Sequence, residues 1–242
     1  MESLALALAP GIAIIWFIYL RDKYDKEPFR ALVKAFLLGM AVTLPAMILQ
    51  WAGFTLLNHL MSATGWTYYI IFAFLVVALG EETCKYLMLR FYAFPRKFFN
   101  EPFDGIIYGV MVAMGFATVE NIVYVVQRGY ETGFLRMFLS VPAHATFGIL
   151  MGYYVGLAKF TSRGHSVQLM VRGLLLAVFF HGLFDLFLFV QADSSITRNT
   201  STSILFSSAI LSYLVAIRLS WKAIKMHQSL SKKYFNTTNN SA

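Results

Sequence analysis

Long apolar runs separated by short polar breaks dominate the chain, and seven can be drawn, at 4–20, 31–57, 66–89, 104–127, 139–158, 168–190 and 203–219. A helix rising 1.5 Å per residue needs about 20 apolar residues to cross the hydrocarbon core of a bilayer. The runs therefore predict an all-α, polytopic transmembrane helix bundle of about seven spans. The third run is the odd one, because the stretch Gly80-Glu81-Glu82-Thr83-Cys84-Lys85 sets three ionisable residues inside it. A single charge near mid-membrane costs roughly 2.5–3.5 kcal/mol on insertion scales, so an intramembrane ionisable residue is read as functional by default. Helical spacing puts Lys85 one turn from both Glu81 (i,i+4) and Glu82 (i,i+3), which neutralises one carboxylate and leaves the other in want of a partner.

Composition agrees with the pattern. Of 242 residues, 58% are hydrophobic and 13% charged, against roughly 45–50% apolar in soluble domains. The net charge of +8 reads as membrane topology and not as nucleic-acid binding, because the basic residues sort by side. Arg21, Lys23, Lys26, Arg30 and Lys34 follow the first run, Arg90, Arg96 and Lys97 the third, Lys159, Arg163 and Arg172 the fifth, and Arg218, Lys222, Lys225, Lys232 and Lys233 the seventh. Only Arg128, Arg136 and Arg198 fall on the other side. The positive-inside bias then predicts an outside N-terminus and a cytoplasmic C-terminus. The first run lacks a basic leader and passes straight into charged sequence, so it reads as a retained span. Residues 1–225 form one transmembrane domain on this reading, and the polar stretch 226–242 is expected to be a disordered tail. The single cysteine, Cys84, excludes an internal disulfide and a multi-cysteine metal cluster.

Two further patterns stand out. Gly105, Gly109, Ala113 and Ala117 recur every four residues along the fourth run, and Gly148, Gly152 and Gly156 along the fifth. Such small-residue ridges let helix backbones approach closely, which predicts a tight pair. The runs also enclose more polar residues: Glu120-Asn121 in the fourth, His144 in the fifth, and His181 with Asp185 at i,i+4 in the sixth. Asp104 is expected at an exposed helix start, and His59, His165 and His227 in solvated loops or tail.

Glu81, Glu82, Glu120 and Asp185 face only Lys85 as a fixed positive charge within the runs. Either some are protonated, through desolvation and mutual repulsion, or a divalent metal supplies the missing charge. A carboxylate of raised basicity would take a proton from water while histidines and an asparagine stabilise an oxyanion. Alternatively, two histidines and a glutamate hold a catalytic zinc, with a second glutamate as base. Candidate metal ligands are Glu81, Glu120, His144 and His181. A proton- or cation-coupled transporter also places such groups at mid-membrane, but the halves show no matching pair of broken or polar segments. A non-catalytic scaffold held together by the polar residues is the third reading.

The ordered motifs Glu81-Glu82-x-x-Lys85, Gly115-Phe116-Ala117-x-x-Glu120-Asn121, His144 followed by Gly148, and His181-Gly182-x-x-Asp185 resemble the PrsW intramembrane proteases. The stretch from Arg21-Asp22 to Glu27-Pro28 is also similar. The resemblance implies peptide-bond hydrolysis in or beside the bilayer, in a superfamily that includes the CAAX prenyl proteases and the Abi proteins. By analogy with the prenyl proteases it implies Glu81 as general base. The chain departs from them in having Glu120-Asn121 where their second motif ends in histidine, and Asp185 where they have asparagine. On this basis Glu81 activates water, Glu82 and Lys85 tune it, His144 and His181 polarise the water or a metal, and Glu120, Asn121 and Asp185 orient them or stabilise the oxyanion. Both a metal-assisted (zinc) and a glutamic-type mechanism stay open. The resemblance also implies a membrane-anchored protein substrate, anti-sigma factors being the associated class, in a bacterial cytoplasmic (inner) membrane.

Overall fold

The computed structural model describes residues 2–239, and among them it contains helices and no strands. The elements are α1 (Glu2–Arg21), α2 (Phe29–Leu60), the rod α3 running through Gly65–Ile71, Phe72–Ala78, Leu79–Met88 and Leu89–Ala93, α4 (Phe103–Arg128), α5 (Tyr130–Phe138), α6 (Ser140–Lys159), α7 (Arg163–Phe189), α8 (Ser194–Thr197) and α9 (Thr202–Asn239). Five stretches among the described residues are long and apolar enough to cross a membrane: α2, α4, α5 with α6 end to end, α7 continued to Ala192, and α9 as far as Asn236. The first predicted run supplies a shorter apolar helix, Ala7–Arg21. The third is a continuous rod with π-helical turns at Phe72–Ala78 and Leu89–Ala93. Each wide turn takes up extra residues without advancing the helix, which rotates everything downstream by roughly 100° per added residue. The turns flank the Glu81–Lys85 segment and set the direction in which it faces.

Burial shows which helix is the axis. In α4, 78% of the spanning window is buried, against 28% in α2 and α9. Outer helices instead present side chains such as Trp51, Leu211 and Leu214, all more than half exposed, as a lipid-facing surface requires. The predicted pairing of glycine ridges is present. A Cβ on Gly105 would collide with the carbonyl oxygen of Gly152, one on Gly152 with that of Gly105, and one on Gly109 with Gly148 O. On its other flank α4 repeats the device against α2, where a Cβ on Gly115 would meet Phe36 O and one on Gly39 would meet Val112 O. Packing between apolar helices in lipid rests on such close contact, because burying an apolar group from lipid brings little gain.

Three expectations are corrected at the end of the bundle that carries the basic loops. Helix α9 continues through the stretch expected to be a disordered tail as far as Asn239, while 240–242 lie outside the described residues. His227 on that helix is fully buried, with its ring 4.5 Å from that of Tyr153. Asp104 is fully buried too, and its Oδ2 accepts from the backbone N–H of Asn100 (2.7 Å) and Glu101 (2.8 Å), so it folds the preceding loop back onto the start of α4. Around it Asp22, Glu27 and Glu101 are buried from the two neighbouring loops. The Tyr108 hydroxyl donates to Glu27 Oε2, and both oxygens of Asp22 and one of Glu101 lack a hydrogen-bond donor.

Burial raises the carboxyls of Asp22 to about 6, Glu27 to about 7 and Glu101 to about 8. Lys26 opposes the shift at Asp22, Tyr108 and Asp104 oppose it at Glu27, and Ser231 opposes it at Glu101, while Asp25 adds to it at all three. These groups bind protons more tightly folded than unfolded, so their contribution to stability is greatest at low pH and is lost as pH rises through about 6 to 8. The melting temperature in detergent is therefore expected to fall between pH 5.5 and pH 8.5, and the slope to flatten in Asp22→Asn with Glu101→Gln. A wild-type melting temperature that climbs across this range would contradict the assignment. Replacing Gly152 by Val is expected to cost about 1–3 kcal/mol through overpacking, read by thermal unfolding, while Gly164→Val, which meets nothing within 4 Å, leaves packing unchanged.

Candidate active site

The structure brings the polar residues of α3, α4, α6 and α7 together beside one cavity of about 720 Å³. Glu81, Glu120, His144, His181 and Asp185 all line it, with Gln50 of α2 and Arg136 of α5. Glu82, Lys85 and Asn121 lie behind this wall, and each is at least 97% buried.

Lys85 is at the centre. Its Nζ donates to Glu82 Oε1 at 2.7 Å and to Glu81 Oε2 at 3.2 Å, lies 3.1 Å from His144 Nδ1, and sits 4.1 Å from the centre of the Phe116 ring. An ammonium group donates only, so His144 Nδ1 must accept, and the neutral ring carries its proton on Nε2. That nitrogen lies 2.7 Å from Glu120 Oε2 and donates to it. His181 is bracketed differently. Its Nδ1 is 2.8 Å from Glu82 Oε1, its Nε2 is 3.2 Å from Asp185 Oδ2 and 4.0 Å from Glu81 Oε2, and its ring stacks on Phe147 at 5.1 Å. Carboxylate oxygens on both sides are fully satisfied only by a ring protonated on both nitrogens.

Glu81 and Glu82 adjoin in sequence yet have distinct settings. Glu82 has no exposure, takes two donors on Oε1, and leaves Oε2 with none. Glu81 reaches the cavity wall, where its Oε1 accepts from Gln50 Nε2 at 2.6 Å. Lys85 is not the sole fixed positive charge, contrary to the count from the apolar runs. Arg136 of α5 turns inward, with Nη2 2.9 Å from Glu120 Oε2 and Nε donating to Asn121 Oδ1 at 3.2 Å. In the sequence Arg136 stands among loop residues and Gln50 within an apolar run. The second was visible as a lone amide in the run 31–57; the first carries no signal, since it sits among polar residues.

The donors suit a metal. One ligand atom from each of Glu81, Glu82, His144 and His181 lies within 4.8 Å of the others, an imidazole and carboxylate set of the kind that binds catalytic zinc. The orphaned Glu82 Oε2 points to the same need for positive charge. Glu120, counted among the candidate ligands from sequence, lies outside this group and holds His144 from behind. Lys85 touches three of the four donors, so the ammonium and a metal would compete for the same lone pairs.

A model of the family described as "PrsW family intramembrane metalloprotease" matches residues 27–217. The chain belongs to the PrsW family. Protease PrsW of Bacillus subtilis (strain 168) is 34% identical over 185 residues, covering 76% of this chain and 82% of the relative. That of Shouchella clausii (strain KSM-K16) is 38% identical over 189 residues, covering 78% and 84%, and that of Clostridioides difficile (strain 630) is 30% identical over 244 residues, covering 97% and 95%. No solved structure matches the chain. As a PrsW-family member it is an intramembrane peptidase, embedded in the bilayer as a multi-pass helical protein and acting on membrane-anchored protein.

Removing the central cation strands buried carboxylates, and breaking a buried pair of this kind typically costs about 3–5 kcal/mol. Lys85→Met is therefore expected to melt well below wild type in chelator at neutral pH. Adding Glu82→Gln to it is expected to restore part of the loss. A single variant as stable as wild type would show that the ion pairs contribute nothing.

Proposed function

We propose that the cavity is the hydrolytic centre, with Glu81 as the general base. The observation that carries this is the split between neighbouring carboxylates: Glu81 faces the cavity while Glu82 is sealed behind it. Glu81 takes a proton from water, the oxygen bonds to the scissile carbonyl carbon, and the proton passes to the amide nitrogen as the C–N bond breaks. His181, held between Glu82 and Asp185, presents its ring to the cavity and polarises the water or the carbonyl oxygen. His144, held by Glu120, completes the wall, and Asn121 positions the residues around Glu120. Glu82 with Lys85 sets the charge beneath Glu81.

His144, Glu82 and, once one ring nitrogen has given up its proton, His181 are the donors that would hold a zinc-like metal, leaving Glu81 free as base, which matches the two-histidine, one-glutamate pattern of catalytic zinc sites. When bound, the metal would act as a Lewis acid toward water and carbonyl. The observation favouring the metal-free, glutamic-type version is the Lys85 ammonium among those same donors.

The cavity is also lined by Arg128, Thr132, Ser140 and Gln191, which lie at the end of the bundle remote from the basic loops. Combined with the positive-inside rule, this supports cleavage near the non-cytoplasmic face. A single-span signalling protein such as an anti-sigma factor in a bacterial inner membrane is a fitting substrate. Glu81→Gln is expected to lower kcat about 10²- to 10⁴-fold on a reconstituted single-span substrate, with mass spectrometry placing the cut at the outer interface. Full activity in that variant would end the proposal. Loss of activity in chelator with recovery on adding zinc would select the metal-assisted mechanism, and indifference to chelator the glutamic one.

A further inference from the structure

Helix α5 begins at Gly129, whose φ of 82° breaks the chain direction after α4 in a conformation glycine adopts readily. The helix packs against α1, α4 and α6. Its Tyr130, Phe134 and Phe138 are each about half exposed, Thr132 and Leu135 line the cavity, and its charged link to the site is one side chain. That side chain is Arg136. It lines the cavity, with its guanidinium 4.0 Å from the centre of the Tyr124 ring, Nε on Asn121 and Nη2 against Glu120. Asn121 is itself fixed, because its Nδ2 donates to Ala7 O at 3.2 Å and so turns Oδ1 toward the arginine.

We infer that Arg136 is a positioning residue that acts through Glu120 to hold His144 in its Nε2–H form, tying the docking of α5 to the competence of the site. Three observations link up. Glu120 Oε2 is shared between Arg136 Nη2 (2.9 Å) and His144 Nε2 (2.7 Å), so the same oxygen that balances the guanidinium fixes the histidine proton. Lys85 occupies the opposite nitrogen of His144 and keeps it unprotonated. Besides Arg136, the positive group that bears on Glu120 is Lys85, farther off beyond the neutral His144 ring; the other acidic, basic and histidine residues along the wall are Glu81, Arg128, His181 and Asp185. Without Arg136, the Glu120 side chain loses the group that fixes where its Oε2 lies, and the contact that holds the ring is no longer set in place. Arg136 bears on the His144 ring through Glu120, and its effect belongs to kcat.

The inference rests on the peptidase reading, and the test separates the two. Wild type, Arg136→Gln, Arg136→Lys, Glu120→Gln and the Arg136→Gln/Glu120→Gln double variant are reconstituted full-length and assayed on the single-span substrate. Arg136→Gln is expected to lose 10- to 100-fold in kcat with KM within about twofold. Arg136→Lys, which keeps the charge, should recover at least a third of wild-type kcat, and the double variant should equal Glu120→Gln alone. Wild-type kcat in Arg136→Gln, or full additivity in the double variant, overturns the inference while leaving the peptidase reading intact. If Arg136→Gln does not fold, Arg136→Lys decides, a tenfold loss at unchanged melting temperature counting against the inference. If wild type itself cleaves nothing, ¹⁵N spectra of the histidine rings decide: a His144 pattern in Arg136→Gln unchanged from wild type overturns it, and a pattern altered alike in Arg136→Gln and Glu120→Gln but kept in Arg136→Lys supports it.

Discussion

A single ammonium group buried in the middle of the bundle governs the architecture. Lys85 binds two glutamates of its own helix and the inner nitrogen of a histidine two spans away. None of these groups is tolerable there alone, since an isolated charge in hydrocarbon is costly, and each fixes the others. The rod α3 has to present one face to α6 and α7 at once, and its π-helical turns supply that rotation. The outcome is a polar interior built on α3, α4, α6 and α7 and joined by Gln50 of α2 and Arg136 of α5, in which Glu82 Oε2 is left without a hydrogen-bond partner and Arg136 Nη2 makes an ion pair but no hydrogen bond.

From this follows the unequal use of two adjacent carboxylates. Consecutive residues on a helix point about 100° apart, so one can face a cavity while its neighbour is buried against the next helix. Glu82 joins Lys85 to His181 and is structural in its contacts; Glu81 has one oxygen on Lys85 and the other on Gln50 at the cavity wall. Gln50 comes from α2, a helix that is otherwise mostly lipid-facing, so the most exposed span on that flank still reaches the site.

What the sequence made legible follows from contrast. Charges inside the run 66–89, and His144, His181 and Asp185 in later runs, stand out because their surroundings are apolar, and all of them meet in the structure. The four-residue glycine spacing was legible for the same reason: a periodic absence of side chains has few causes in a membrane helix. Arg136 was hidden because an arginine in a polar break looks solvated whether or not it folds inward. The same camouflage covered Asp22, Glu27 and Glu101, loop carboxylates whose burial depends on three segments meeting at the start of α4. His227 was misjudged from composition, since the polar stretch around it is one exposed face of a helix whose other face packs on α6.

The glycine contacts also decide where this bundle is able to yield. At its glycines α4 meets both α2 and α6 backbone to backbone, which leaves little room for these helices to slide. The histidine and the glutamate carried by α6 and α4 sit on that closely joined pair. The outer half of α3 meets its neighbours differently, ring against ring, with Phe72 on Phe54 and Phe189 and Phe74 on Phe179. Side chains that can change rotamer therefore stand on one flank of the polar cavity, and glycine-to-backbone contacts without that freedom on the other.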